Sequence, residues 1–244
     1  MSFRKLAAHW NRFGEQDPFR AILTGRDLTP EEFFATGVAD AARILEHLGG
    51  RPAARGHALD FGCGVGRLSC AMASHFKRVI GVDVAPSMLA HARARAHPGC
   101  EFVLNAAPDL AQFSGASFDL VFSRITLQHC PPASIRAYLD EFARLVRPGG
   151  AVHFQLPAAP LRPSRAARAA EWLYNNIFFD LFRRNEARME MHGLDPAEVV
   201  RRLERAGLRP IRVSEDWDAV PGWTSFCYSF EKPDSPPAHA RNMR

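Results

Sequence analysis

Between residues 58 and 157 the chain alternates between two hydrophobic rhythms. Short, nearly continuous apolar runs occur at 58–61 (ALDF), 79–84 (VIGVDV), 102–106 (FVLNA), 118–123 (FDLVFS) and 151–157 (AVHFQLP). Between them the apolar residues recur every three to four positions, through 67–76, after Pro86, and through 134–146. In the last of these, Ile135, Tyr138, Leu139, Phe142 and Leu145 fall on one face. Buried strands separated by amphipathic helices predict a parallel sheet covered on both sides, the doubly wound Rossmann-like α/β class.

The flanks follow the helical rhythm. In LTPEEFF, Thr29 is an N-cap, Pro30 the first helical residue and Glu32 the third, a capping box. Ala41, Ile44, Leu45 and Leu48 continue the helix to Gly49-Gly50. Residues 1–56 are therefore expected as an N-terminal helical cap over a core at 57–157. Residues 158–194 break the strand–helix alternation; Leu173, Ile177 and Leu181 beside Tyr174, Phe178 and Phe182 predict an inserted helical lid after the fifth strand. In 195–233, Asp195, Pro196 and Glu198 predict a second capping box, Gly207 a helix end, and 210–213 and 223–231 the last two strands. The tail, 234–244, is expected to be disordered.

Composition narrows the function classes. The five cysteines, at 63, 70, 100, 130 and 227, include no C-x-x-C pair, which favours reduced thiols over a disulfide framework or a zinc site. No apolar run of membrane-spanning length occurs, and the amino terminus lacks a secretory apolar region, so a cytoplasmic, non-membrane protein is expected. The net charge of +5 is almost entirely arginine, with 11 Arg against 7 acidic residues in 158–212. No basic cluster is interleaved with stacking aromatics, which favours a solvated surface over a nucleic-acid groove. Oligomeric state is not legible in these features.

The stretch ALDFGCGVGRLS carries the chemistry. A dinucleotide loop reads G-x-G-x-x-G, but here Gly62, Gly64 and Gly66 are spaced one residue tighter. Asp60, two residues before the first glycine, would repel a pyrophosphate and could receive an ammonium. Asp83, at the tip of the next strand, can accept both hydroxyls of a ribose. Val84 and Met88 offer apolar surface to an adenine, and Asn105, with Ala106 beside it, can read the adenine edge. A ligand needing all of these contacts is S-adenosyl-L-methionine.

With LDFGCGVGR, GVDVAPSML, FDLVFSRITLQHCPP and RLVRPGGAVHFQLP in this order, residues 56–231 resemble the class I S-adenosylmethionine-dependent methyltransferases. Outside the core, DPFRAILTG and GWTSFCYSF are similar to a bacterial subgroup of that family. The resemblance implies a seven-stranded, mostly parallel sheet with an antiparallel last strand. It also implies that Gly62, Gly64 and Gly66, flanked by Phe61 and Arg67, pass under the methionine portion of the cofactor, with Ser123 and Arg124 close to it. Asn105 departs from the Asp that many relatives carry there.

Methyl transfer from a sulfonium needs mainly orientation, and a base only where the acceptor must lose a proton. His129, in TLQHCPP beyond the fourth strand, is the candidate base; ordering its own loop is the alternative role. Trp172, Phe178, Arg188 and His192 are the candidate acceptor-binding residues, and Trp10 and Phe13 are placed to close over the cofactor. A small-molecule methyltransferase is the leading expectation. An RNA or protein methyltransferase docking through 158–212, or a cofactor-binding pseudoenzyme, are the alternatives.

Overall fold

A computed structural model describes residues 2–23, 27–158, 190–218 and 223–234. Three helices lead the chain: α1 (Phe3–Gln16), α2 (Pro18–Ile22) and α3 (Pro30–His47). The core runs β1 (His57–Phe61), α4 (Arg67–Met72), β2 (Arg78–Asp83), α5 (Pro86–Ala94), β3 (Cys100–Leu104), β4 (Phe118–Ser123), α6 (Pro132–Leu145) and β5 (Val146–Pro157). It closes with α7 (Pro196–Arg205), β6 (Arg209–Glu215) and β7 (Ser225–Glu231).

The seven strands form one sheet in the order β3-β2-β1-β4-β5-β7-β6. The first five are mutually parallel, while β7 lies antiparallel between β5 and β6. The expected doubly wound sheet with an antiparallel last strand is therefore the observed one. The period-two alternation of strand side chains divides the core. Leu59, Val121 and Val152 pack on the α6/α7 side, and Ala58, Leu120 and Ala151 on the α3/α4 side. All five stripe residues of α6 are buried, as their spacing requires.

Local signals hold at α3, where the Thr29 hydroxyl accepts from Glu32 N and the Glu32 carboxylate accepts from Thr29 N. They are overruled at α7. Asp195 caps Ala197 N, but Glu198 turns away to pair with the Arg136 guanidinium of α6, so the second capping box does not form. Helix α4 ends at Met72, one turn short of the expected 67–76, because Ala73–Phe76 close as turns. The order of strands leaves a crevice outside the carboxyl ends of β1 and β4, where the crossovers reverse direction; ligands of doubly wound folds bind there. Helix α1 roofs it, fixed to the start of α5 by Ser87 N donating to Asn11 Oδ1 and Ser87 Oγ donating to Asn11 O. No helix among the described residues is long and apolar enough to cross a membrane.

Candidate active site

The crevice is a cleft of about 930 Å³, its open mouth included. Its floor is the loop from β1 to α4. Gly62 has φ +74°, and a Cβ there would lie 2.1 Å from Thr126 Cγ2, so only glycine lets this loop pass beneath the β4–α6 loop. Gly64 N donates to Asp83 Oδ2 and Ala85 N donates to Asp83 Oδ1, each at 2.9 Å. Each carboxylate oxygen is thereby oriented and retains capacity for a further hydrogen bond. Burial raises the pKa of Asp83, partly offset by these N–H donors.

Asp60 is buried at the end of β1, with Ser69 Oγ donating to Oδ2 at 2.6 Å. Burial pushes its pKa up to about 7; the Ser69 hydroxyl and Arg67 oppose that push, and Asp83 adds to it. A carboxyl so starved of positive partners is suited to an incoming ammonium. Asn105 is buried beyond β3, and its Nδ2 has no hydrogen-bond partner although it lines the cleft. An unsatisfied buried amide calls for a ligand acceptor. Together these groups fit an amino-acid end, a ribose and an adenine edge.

Phe61, Val84 and Met88 also line the cleft. Gly66, Ala106 and Ser123 do not. Gly66 packs under Phe102, Ala106 faces solvent, and Ser123 Oγ donates to Phe61 O within the sheet. Arg67 and Arg124 line the wall, but their charges are engaged. Arg67 donates to Asp40 at 2.8 Å and Thr36 at 2.9 Å, while Arg124 donates to Asp216 at 3.0 Å and lies over Trp217. They brace the wall by pairing with acids on other elements.

His129 lies where the cleft meets the roof, its ring edge-on to Trp10 at 5.1 Å. Gln128 Nε2 donates to His129 Nε2 at 3.2 Å, and His129 Nδ1–H donates to the Glu190 carbonyl at 3.0 Å. This pairing fixes one neutral tautomer. Burial pulls its pKa down to about 4, against the Glu190 hydrogen bond, which favours the charged form. His192 is outside the cleft, hydrogen-bonded to Glu190 through Nε2 and to Gln128 O through its backbone N–H. Trp172, Phe178, Arg188 and most of the expected lid lie outside the described residues, as does the tail from 235.

Sequence reasoning placed His129 in this loop but missed how the loop is held. Ile125 lines the cleft with φ +59°, a left-handed conformation costly for a β-branched residue, on the order of 1–3 kcal/mol. Its N–H donates to Gln155 Oε1 at 3.2 Å. Gln155 Nε2 donates in turn to Gln128 Oε1 at 3.1 Å and Ser225 Oγ at 2.5 Å. The available signal was a glutamine within a buried strand, where an amide must find partners. Leu6 of the roof, Ile22 beside Gly64 and Tyr138 beside Phe61 add apolar lining that sequence analysis had not assigned.

Residues 58–150 match the family described as a methyltransferase domain. A ubiquinone biosynthesis O-methyltransferase of Cereibacter sphaeroides is 32% identical over 177 residues, 70% of this chain and 68% of that protein. A malonyl-[acyl-carrier protein] O-methyltransferase of Serratia marcescens is 36% identical over 136 residues, 51% of this chain and 50% of that one. The chain spans half or less of the length of other curated relatives that it matches. Among solved structures, the magnesium protoporphyrin IX methyltransferase of Synechocystis PCC 6803 with bound SAH aligns with a TM-score of 0.64. It is 19% identical and covers 94% of this chain and 99% of that one, a likeness of fold.

Proposed function

The chain belongs to the class I S-adenosylmethionine-dependent methyltransferases, and from that premise we propose that it methylates a small-molecule acceptor held in the roofed cleft. When bound there, S-adenosyl-L-methionine supplies a methyl group already activated by its sulfonium, and S-adenosyl-L-homocysteine is the product. The protein's residues bind and orient. Asp60 receives the ammonium, the backbone of Gly62 and Gly64 underlies the methionine portion, Asp83 accepts the ribose hydroxyls, and Asn105 donates to the adenine edge.

The observation that carries this reading is one cleft with two unlike sides. Polar groups with spare hydrogen-bonding capacity line its floor, and Leu6 and Trp10 of α1 form an apolar ceiling, with Ile22 and Tyr138 adding apolar lining. Such a ceiling excludes water and suits a compact acceptor. Relatives at 32 and 36% identity bear the names of O-methyltransferases, which supports oxygen as the accepting atom. Positioning carries most of the rate. His129 is neutral near pH 7 and serves as a base only when Gln128 releases its Nε2.

The test is transfer of label from methyl-tritiated S-adenosylmethionine into three cell-extract fractions: small molecules, RNA and protein. Label in the small-molecule fraction supports the proposal. Label confined to RNA or protein would replace it with docking through 158–212. Binding of S-adenosylmethionine without transfer to any fraction would favour a pseudoenzyme.

A further inference from the structure

Three of the five cysteines, at 63, 70 and 100, converge beside α4: Cys63 lines the cleft, whereas Cys70 and Cys100 do not. Cys63, Leu89, Ala92 and Phe102 form a small buried cluster, and Cys70 and Cys100 pack against it from a half-exposed position. Cys100 Sγ donates to Ser69 O at 3.3 Å, the carbonyl immediately before Cys70. The two thiols lie close enough to shift one another's ionisation. The sulfur of Cys70 also lies against the 95–99 loop, 3.7 Å from Arg95 O.

We propose that Cys70 and Cys100 form a redox-sensitive dithiol, with Cys70 the attacking sulfur and Cys100 the resolving one, that a hydroperoxide closes to a disulfide between α4 and β3. This does not rest on the methyltransferase reading. The two sulfurs are unequal. The Cys100 thiol and the His97 N–H stabilise negative charge on Cys70 and hold its pKa below the usual range, whereas the same contact raises that of Cys100. Cys63, Cys130 and Cys227 are buried, and burial raises each of their thiols, so they are poor nucleophiles.

The chemistry balances. The Cys70 thiolate attacks the terminal hydroperoxide oxygen, the O–O bond breaks, and the departing alkoxide takes a solvent proton to leave as alcohol. Cys70 is then a sulfenic acid. The Cys100 sulfur attacks the Cys70 sulfur, the S–S bond forms, the S–O bond breaks, and water leaves with the Cys100 proton. Two thiols lose two electrons, and the hydroperoxide gains them.

Purified protein is treated with hydrogen peroxide, with and without the sulfenic-acid trap dimedone, and its peptides are analysed by mass spectrometry. Wild type is expected to give a Cys70–Cys100 linked peptide, lost after dithiothreitol. In Cys100→Ser, where the serine hydroxyl can still donate to the Cys70 sulfur in place of the lost thiol, dimedone is expected on Cys70 roughly tenfold faster than on an ordinary free thiol. In Cys70→Ser neither the link nor trapping at Cys100 should appear. Both thiols surviving peroxide in the wild-type protein would overturn the proposal. So would Cys70 passing to sulfinic acid without linkage, or equal trapping at Cys100 in Cys70→Ser.

Discussion

With Asp60 as the proposed partner of the cofactor ammonium, affinity should depend on pH in a calculable way. In the free protein the Asp60 pKa is about 7, raised from the usual 3.8 chiefly by burial. An ammonium opposite it stabilises the carboxylate, so binding from a slightly acidic solution expels the Asp60 proton. For a bound carboxyl that titrates below pH 5.5, protonated Asp60 in the free protein falls from about 97% at pH 5.5 to about half at pH 7. The Kd for S-adenosylmethionine should then fall roughly fifteenfold over that interval, about 1.6 kcal/mol. The ligand's own α-amino group, with a pKa of about 7.7–8.0, stays largely protonated in this window.

Calorimetric titrations in two buffers of different ionisation enthalpy, in half-unit steps across this range, measure both affinity and protons released. About one proton should leave per ligand at the acidic end, and Asp60→Asn should abolish both the release and the slope. Variation under about twofold in wild type, or an equal slope in Asp60→Asn, would refute the ammonium role. The stability of the free protein follows the same titration. A carboxyl with a raised folded pKa contributes stability fully present below 3.8 and lost as pH rises through about 7. Cofactor should therefore raise the melting temperature more at pH 7 than at pH 5.5.

Asp83→Asn keeps the side chain's shape but turns an amide donor toward Gly64 or Ala85 N–H; loss of a charged hydrogen bond, about 1.5–3 kcal/mol, should weaken S-adenosylmethionine binding on the order of tenfold to a hundredfold by calorimetry. An unchanged Kd would move the ribose elsewhere. Gln155→Leu leaves Ile125 N–H and Gln128 Oε1 unpaired beneath a strained residue, a loss of about 2–4 kcal/mol readable by urea unfolding. A loss under about 0.5 kcal/mol would mean that the loop is held by packing alone. His129→Ala should lower turnover with the labelled acceptor at saturating cofactor, while the cofactor Kd stays within about twofold, because the imidazole meets the roof and not the cofactor floor.

What could be read from the chain divides along a physical line. The α6 stripe, the Thr29 capping box, the Gly62–Gly64 loop and Asp83 depend on neighbours a few residues away, or on a motif interval, and sequence displays both. The engagement of Arg67 and Arg124 depends on Asp40 and Asp216, 27 and 92 positions away. Without those partners both arginines read only as positions beside the methionine portion of the cofactor. Glu198 fails as a cap for the same reason, since Arg136 reaches it from another helix. The left-handed Ile125 and its Gln155 support belong wholly to tertiary structure, and no local propensity favours that conformation at isoleucine.

The Asn11–Ser87 clasp bears on timing as well as architecture. Helix α1 carries Trp10 across the cleft and is fastened to α5 by those two hydrogen bonds and by one from the His91 ring to Gly14 O, outside the sheet's own ladder. A nucleoside enclosed under such a cover leaves when the fastening opens, however quickly the methyl group has moved. The catalytic cycle would then keep the clock of a helix lifting and reseating, and replacing Ser87 should show itself first in the rate of product escape.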